Sequence, residues 1–174
     1  MSSPPSTTVN LPLPRWAYVP GESDEAEADQ DTLWQAKALV PSRFREFVPA
    51  RHPALRYGIA LNDSGYFWES QEVLEAVWAA APQGGRERIL LRACIQVANA
   101  NLRLRMGKPR AAARLLGEAL GGLNTLGARK AVAAGDGFVD GFPTAAVAAL
   151  LQAKLAQPVL SMADWVKIGA TSRT

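Results

Sequence analysis

Glu69, Glu72 and Glu75 recur every third residue in GYFWESQEVLEAVW, residues 65–78, with Gln71 and Trp68 among them. Gln71 and Glu75 are an i,i+4 pair and Glu72 and Glu75 an i,i+3 pair, so on a helix each pair shares a face. Carboxylates so placed could exchange protons with a substrate, help to hold a cation, or anchor a hydrogen-bonded network to a neighbouring helix. With Gln71 in the set, an amide oxygen offers only a weak ligand for a hard cation. No nucleophile–base pair stands out, and no glycine-rich phosphate loop or Walker pattern is present, so whether the chain is an enzyme is left open.

A helical wheel places these groups. Phe67, Gln71, Leu74 and Trp78 fall within about 60° of one another, and Val73, Val77 and Tyr66 extend that apolar arc. Gln71 is thus a polar residue inside an apolar stripe. Glu72 and Glu75 lie at its edge, and Glu69 lies further round. On the next helix Arg92, Gln96, Asn99 and Arg103 share one stripe with apolar residues on both sides. In a helical hairpin Glu72 and Glu75 are expected to meet Arg92, Gln96 or Asn99, since an unpaired buried carboxylate costs several kcal/mol.

The elements that would position this cluster are helical. Helices are expected near 54–62, 65–80, 86–106, 109–126, 143–156 and 161–168. The breaks are turn clusters: Asn62-Asp63-Ser64-Gly65, Pro82-Gln83-Gly84-Gly85, Gly107 before Pro109, and the Gly/Asp/Pro loop before Pro143. No stretch alternates with period two, which argues against strands. The fold class is all-α: a compact antiparallel bundle of about five to six helices with an extended, partly disordered N-terminal arm. Residues 1–31 form the arm, rich in Pro, Ser and Thr and then acidic, with six acids in Glu22–Asp31. So little apolar surface cannot offset ordering entropy, which predicts mobility. One island, PRWAYVPG at residues 14–21, reads either as an aromatic arm that docks on the body or as an exposed tail. Residues 32–53 read as a weakly helical linker, 54–134 as the helical core domain, and 135–174 as a C-terminal loop and helices packing on that core.

Composition narrows the function classes. The chain has 174 residues, enough for one domain with a core, and a net charge of +3. The charge is uneven: residues 86–114 hold eight Lys/Arg against Glu87 alone. That run could hold phosphate, but its cations do not all face one way and few aromatics interleave for base stacking. A single cysteine, Cys94, and a single histidine, His52, exclude an internal disulfide and a Cys/His zinc cluster within one chain. Cys94 reads as a small buried hydrophobe. The N-terminus lacks a signal-peptide pattern, and no apolar run approaches the length of a membrane span, so the expected location is cytoplasmic with no membrane partner.

The central segment resembles the family called domain of unknown function 309, small all-helical prokaryotic proteins. The resemblance rests on Gly65, Phe67, Glu69, Ser70, Gln71, Glu72, Glu75 and Trp78, then Cys94-Ile95-Gln96-Val97-Ala98, Gly107-Lys108-Pro109-Arg110-Ala111-Ala112 and Leu115-Leu116, over about residues 55–126. Gln71 stands where the family usually has His, Lys108 where it has Asn, and Ala111 where it has Gly. The resemblance implies an all-helical fold and no established activity, and the loss of the His weakens a metal site.

The reading that fits best is a non-catalytic protein-binding or scaffold module with no cofactor and no metal. Its polar cluster is Glu69, Gln71, Glu72, Glu75, Arg92, Gln96 and Asn99. Trp68, on the polar arc with Glu72 and Glu75, is the candidate partner contact; Trp34 and Trp165 are further anchors, and a core role is the alternative for all three. Nucleic-acid or phosphate binding through 86–114, or a vestigial metal or hydrolytic site at Glu69, Glu72 and Glu75, are the other readings.

Overall fold

The computed structural model describes residues 11–22, 24, 28–128 (the Ala128 side chain apart) and 137–169. Among them are seven α-helices and no strand: α1 Gln30–Lys37, α2 Pro53–Asp63, α3 Phe67–Ala80, α4 Arg86–Arg105, α5 Pro109–Ala128, the single turn α6 Phe138–Gly141, and α7 Thr144–Leu155. The expected all-α class is the one observed. The junction expected at residue 134 lies outside the described residues.

Two similar turns set the geometry of the central helices. At the end of α2 the Tyr66 N–H donates to the Leu61 carbonyl at 2.8 Å and the Gly65 N–H to the Asn62 carbonyl at 3.0 Å. At the end of α4 the Lys108 N–H donates to the Arg103 carbonyl at 2.8 Å and the Gly107 N–H to the Leu104 carbonyl at 3.0 Å. Both are Schellman closures, and both need a left-handed residue, supplied by Gly65 at φ 93° and Gly107 at φ 73°. Tyr66 and Lys108 lead at once into the next helix, so α2–α3 and α4–α5 form tight hairpins. At the start of α2 His52 Nδ1 accepts the Ala54 N–H at 3.2 Å, and Pro53 supplies a pre-set first turn.

Consecutive helices pack on one another, α2 on α3, α3 on α4 and α4 on α5; α7 covers α5, and α1 lies on α3 and α2. Their shared core includes the fully buried Leu55, Leu61, Leu74, Leu90, Leu91 and Leu116. Cys94 joins this core, as its apolar setting implies, and burial lifts its thiol pKa to about 12. No helix among the described residues is long and apolar enough to cross a membrane.

The chain end departs from expectation. Residues 161–168 are not a helix. A 3₁₀ turn at Met162–Asp164 is capped by the Asp164 carboxylate, which accepts the Ser161 N–H at 2.8 Å, and residues 165–168 then run without helical structure. The reason is that side chains of the bundle take its main-chain groups. Asn101 Oδ1 accepts the Val166 N–H at 2.8 Å, while Asn101 Nδ2 and Asn62 Nδ2 donate to the Val166 carbonyl at 2.8 and 3.0 Å. Asn101 Nδ2 also donates to Asn62 Oδ1 at 2.8 Å. Asp63 accepts the N–H groups of Ile168 and Gly169 at 2.6 and 2.7 Å.

Replacing Asn101 with Ala leaves Asn62 Oδ1 and the Val166 N–H buried without partners. The Asn101→Ala protein is expected to lose roughly 2–4 kcal/mol in urea unfolding, with faster hydrogen exchange at Val166. An unchanged unfolding midpoint would show that the tail is held by other contacts.

Candidate functional site

Helix α3 carries the predicted carboxylates, and the structure sorts them differently from the wheel. Glu69 is fully buried. On the wheel it lies on the polar side, but that side is covered by the N-terminal segment. Residues 11–22 lie on the face made by α2, α3 and the end of α4. Tyr18 sits edge-on to Trp68, with ring centroids 4.9 Å apart. Val19 packs with Phe67 and Leu102, backed by Trp68, Met106 and Trp165. Trp68 is therefore half-buried beneath the arm, packing against both the main core and the small cluster around Val19. Trp165 packs on Phe67 with centroids 5.5 Å apart, and Trp34 is 70% exposed.

The main chain of residues 11–22 is held at every third residue, by α2, by Asp29 just before α1, and by α3. The Tyr57 hydroxyl donates to the Pro12 carbonyl at 2.7 Å. The Arg15 N–H donates to Asp29 Oδ2 at 3.0 Å, and the Tyr18 N–H to Glu69 Oε2 at 2.7 Å. A turn at Gly21 follows, where the Glu22 N–H donates to the Val19 carbonyl at 3.0 Å. The Glu22 carboxylate then pairs with Arg105 of α4 at 3.2 Å.

The electrostatics beneath the arm are acidic. Burial pushes the Glu69 pKa up, against the Tyr18 N–H that lowers it, and the neighbouring Asp29 and Glu72 charges push it further up. Asp29 moves the other way, because the Arg15 N–H outweighs its burial. Burial, then the Asp29 and Glu69 charges, raise the Tyr57 hydroxyl to about 12, which keeps it a proton donor at neutral pH. Glu72 pairs with Lys37 of α1 at 2.9 Å. Glu69 makes no ion pair among the described residues, and its Oε1 has no hydrogen-bond partner.

The expected network between α3 and α4 is not the one formed. Gln71 Nε2 reaches back to the Phe67 carbonyl one turn earlier at 3.4 Å. Glu75 is exposed, and partial desolvation and the Glu72 charge raise its pKa. Gln96 donates to Glu118 of α5 at 3.0 Å, Arg92 is exposed, and Asn99 is half-buried. The α4 stripe thus turns to α5 at Gln96 and to solvent at Arg92, not to the carboxylates of α3. No group of three or more His, Cys, Asp or Glu among the described residues could hold a metal ion.

Residues that the wheel did not single out complete the picture. Asn101 lies on the apolar face of α4, three residues after Ala98 and seven after Cys94, and Asn62 lies seven after Leu55 on the buried face of α2. A polar residue in register with a core stripe was the available signal for both. Ser70, also fully buried, donates its hydroxyl to the Gly58 carbonyl at 2.6 Å and ties α3 to α2.

Glu87, at the start of α4, is a second buried carboxylate, with Oε2 unpartnered. Burial chiefly, and then Asp140, raise its pKa to about 7 against the opposing Val139 N–H and Arg86. A carboxyl whose folded pKa lies above its ordinary 4.5 stabilises the fold most when protonated. Stability should therefore fall as pH rises from 4.5 to 7 and then level off. Glu87→Gln is expected to remove Glu87's share of that fall, leaving the part due to Glu69 and Glu75, and to exceed the parent at pH 8 by on the order of 2–3 kcal/mol in urea melts. Parallel pH profiles for the two proteins would contradict this assignment.

Comparison with known proteins bears on the same helices. Residues 55–115, from α2 into α5, match the model of the family described as Domain of unknown function (DUF309). Comparison with curated proteins and with solved structures gives no match. The segment that holds Tyr57, Trp68 and Glu69 lies within the matched residues, so it is this part of the chain that is similar to the Domain of unknown function (DUF309) family.

Proposed function

We propose that the helical body is a protein-binding module whose groove, floored by α2, α3 and the end of α4, takes an extended segment of chain, and that residues 11–22 are its resident occupant. The observation that carries this reading is the main-chain grip at Pro12, Arg15 and Tyr18. Hydrogen bonds to the main chain are independent of side-chain identity, while pockets beside them select it. Here Trp68, Phe67 and Leu102 receive an aromatic residue followed by a β-branched one.

The cationic run at 86–114 favours nucleic acid less. Arg105 is paired to Glu22 and Arg114 to Glu118. Arg88 lies over the Trp78 ring at 4.5 Å and donates to the Ala79 and Ala81 carbonyls. These cations are spent on the fold, and a phosphate would have to compete for them.

The test keeps the full chain and loosens the arm. Tyr18→Ala with Val19→Ala removes the side chains that fill the groove. A fluorescein-labelled peptide of residues 11–22 is expected to bind this variant about tenfold more tightly than the parent by anisotropy, a preference corresponding to about 1.4 kcal/mol. Adding Trp68→Ala should abolish binding. A folded double variant that fails to bind the peptide would refute the module.

A further inference from the structure

The arm is an imperfect occupant of its own groove. Glu69 is fully buried, and Oε2 accepts the Tyr18 N–H while Oε1 has no hydrogen-bond partner. The nearby cations serve other acids: Arg15 lies on Asp29 at 3.4 Å and Lys37 on Glu72 at 2.9 Å. A buried acceptor without a donor is destabilising, and a carboxylate oxygen more so than a neutral one. An occupant that supplied a further donor at the Tyr18 nitrogen would remove that penalty.

One group does so without altering the path of the chain. A free α-ammonium at the position of the Tyr18 amide nitrogen would lie 2.7 Å from Glu69 Oε2, as the amide does. It has three protons instead of one and carries a charge, so the same nitrogen can serve both carboxylate oxygens. The residues that follow, an aromatic and then a β-branched one, would keep the Trp68 and Phe67–Leu102 contacts made by Tyr18 and Val19. We propose that the groove is a receptor for the free N-terminus of a polypeptide that begins aromatic–β-branched, with Glu69 as the acceptor of its α-ammonium. This rests on the groove reading above and names the partner that the groove fits.

Chemistry at one atom of the ligand tests it. The peptide Tyr-Val-Pro-Gly-Glu, the sequence of residues 18–22, is prepared with a free and with an acetylated N-terminus, since acetylation removes the charge and two donors. Both are titrated by calorimetry into the full-length Tyr18→Ala, Val19→Ala protein. The free amine is expected to bind at least about tenfold more tightly than the acetylated form, because charge-assisted bonds are about twice as strong as neutral ones. Adding Glu69→Gln to the receptor should make the two equal. Equal affinities in the parent receptor, a preference that survives Glu69→Gln, or no binding of the free amine would each overturn the proposal. If the residue 11–22 peptide still binds in those cases, only the N-terminus assignment falls; if that peptide also fails, the groove reading falls with it.

Discussion

The hydrogen bond between the Asn62 and Asn101 side chains is the constraint on which much of the bundle depends. Both amides are fully buried, one on α2 and one on α4, with α3 between those helices in sequence. Each has donors and acceptors that a hydrocarbon neighbour cannot satisfy. They are satisfied only when α2 and α4 stand in one register and the Val166 peptide group lies across them. A slip of one helical turn would leave several polar atoms orphaned at once. The pair thus ties α2 to α4 through the tail, on either side of α3, and helps to hold the groove that the α2–α3 hairpin forms.

The same logic governs both non-helical segments that lie on the bundle. The tail around Val166 and the arm around Tyr18 cannot satisfy their own main-chain groups, so the helices provide side chains for them. The tail receives neutral amides and a carboxylate whose two oxygens are both used. The arm receives two acids and a hydroxyl, one acid being half-used. At Val166, Ile168 and Gly169 the tail meets side chains whose polar atoms are all used, whereas the arm leaves Glu69 Oε1 unpartnered, and it is on that difference that the proposal of an exchangeable arm rests.

Helix positions were legible in the sequence because Gly65, Gly107 and Pro109 punctuate strong apolar periodicity. The tail was not, because residues 161–168 look helical in isolation and are overridden by Asn101 and Asp63, which are distant in sequence. The carboxylate stripe was legible as a stripe but not as to what meets it. A wheel ranks positions around one helix and says nothing about which neighbour covers each side. Glu69 is on the polar arc by sequence and in the interior by structure, since an extended segment more than forty residues earlier lies over it. Gln96 and Arg92 form a true stripe, but one turned towards α5 and solvent.

The arm belongs to the same chain as the groove it fills, and that sets a threshold for any rival. A tethered segment acts at an effective concentration in the mM range when its linker is short. A free polypeptide present at about 1 μM must therefore have an intrinsic advantage near a thousandfold, or about 4 kcal/mol, merely to share the groove equally. Casual sequences that resemble the arm are excluded by the tether alone. If the arm is exchangeable as proposed, the groove would answer either to a partner that is much better matched or to one held beside it at high local density.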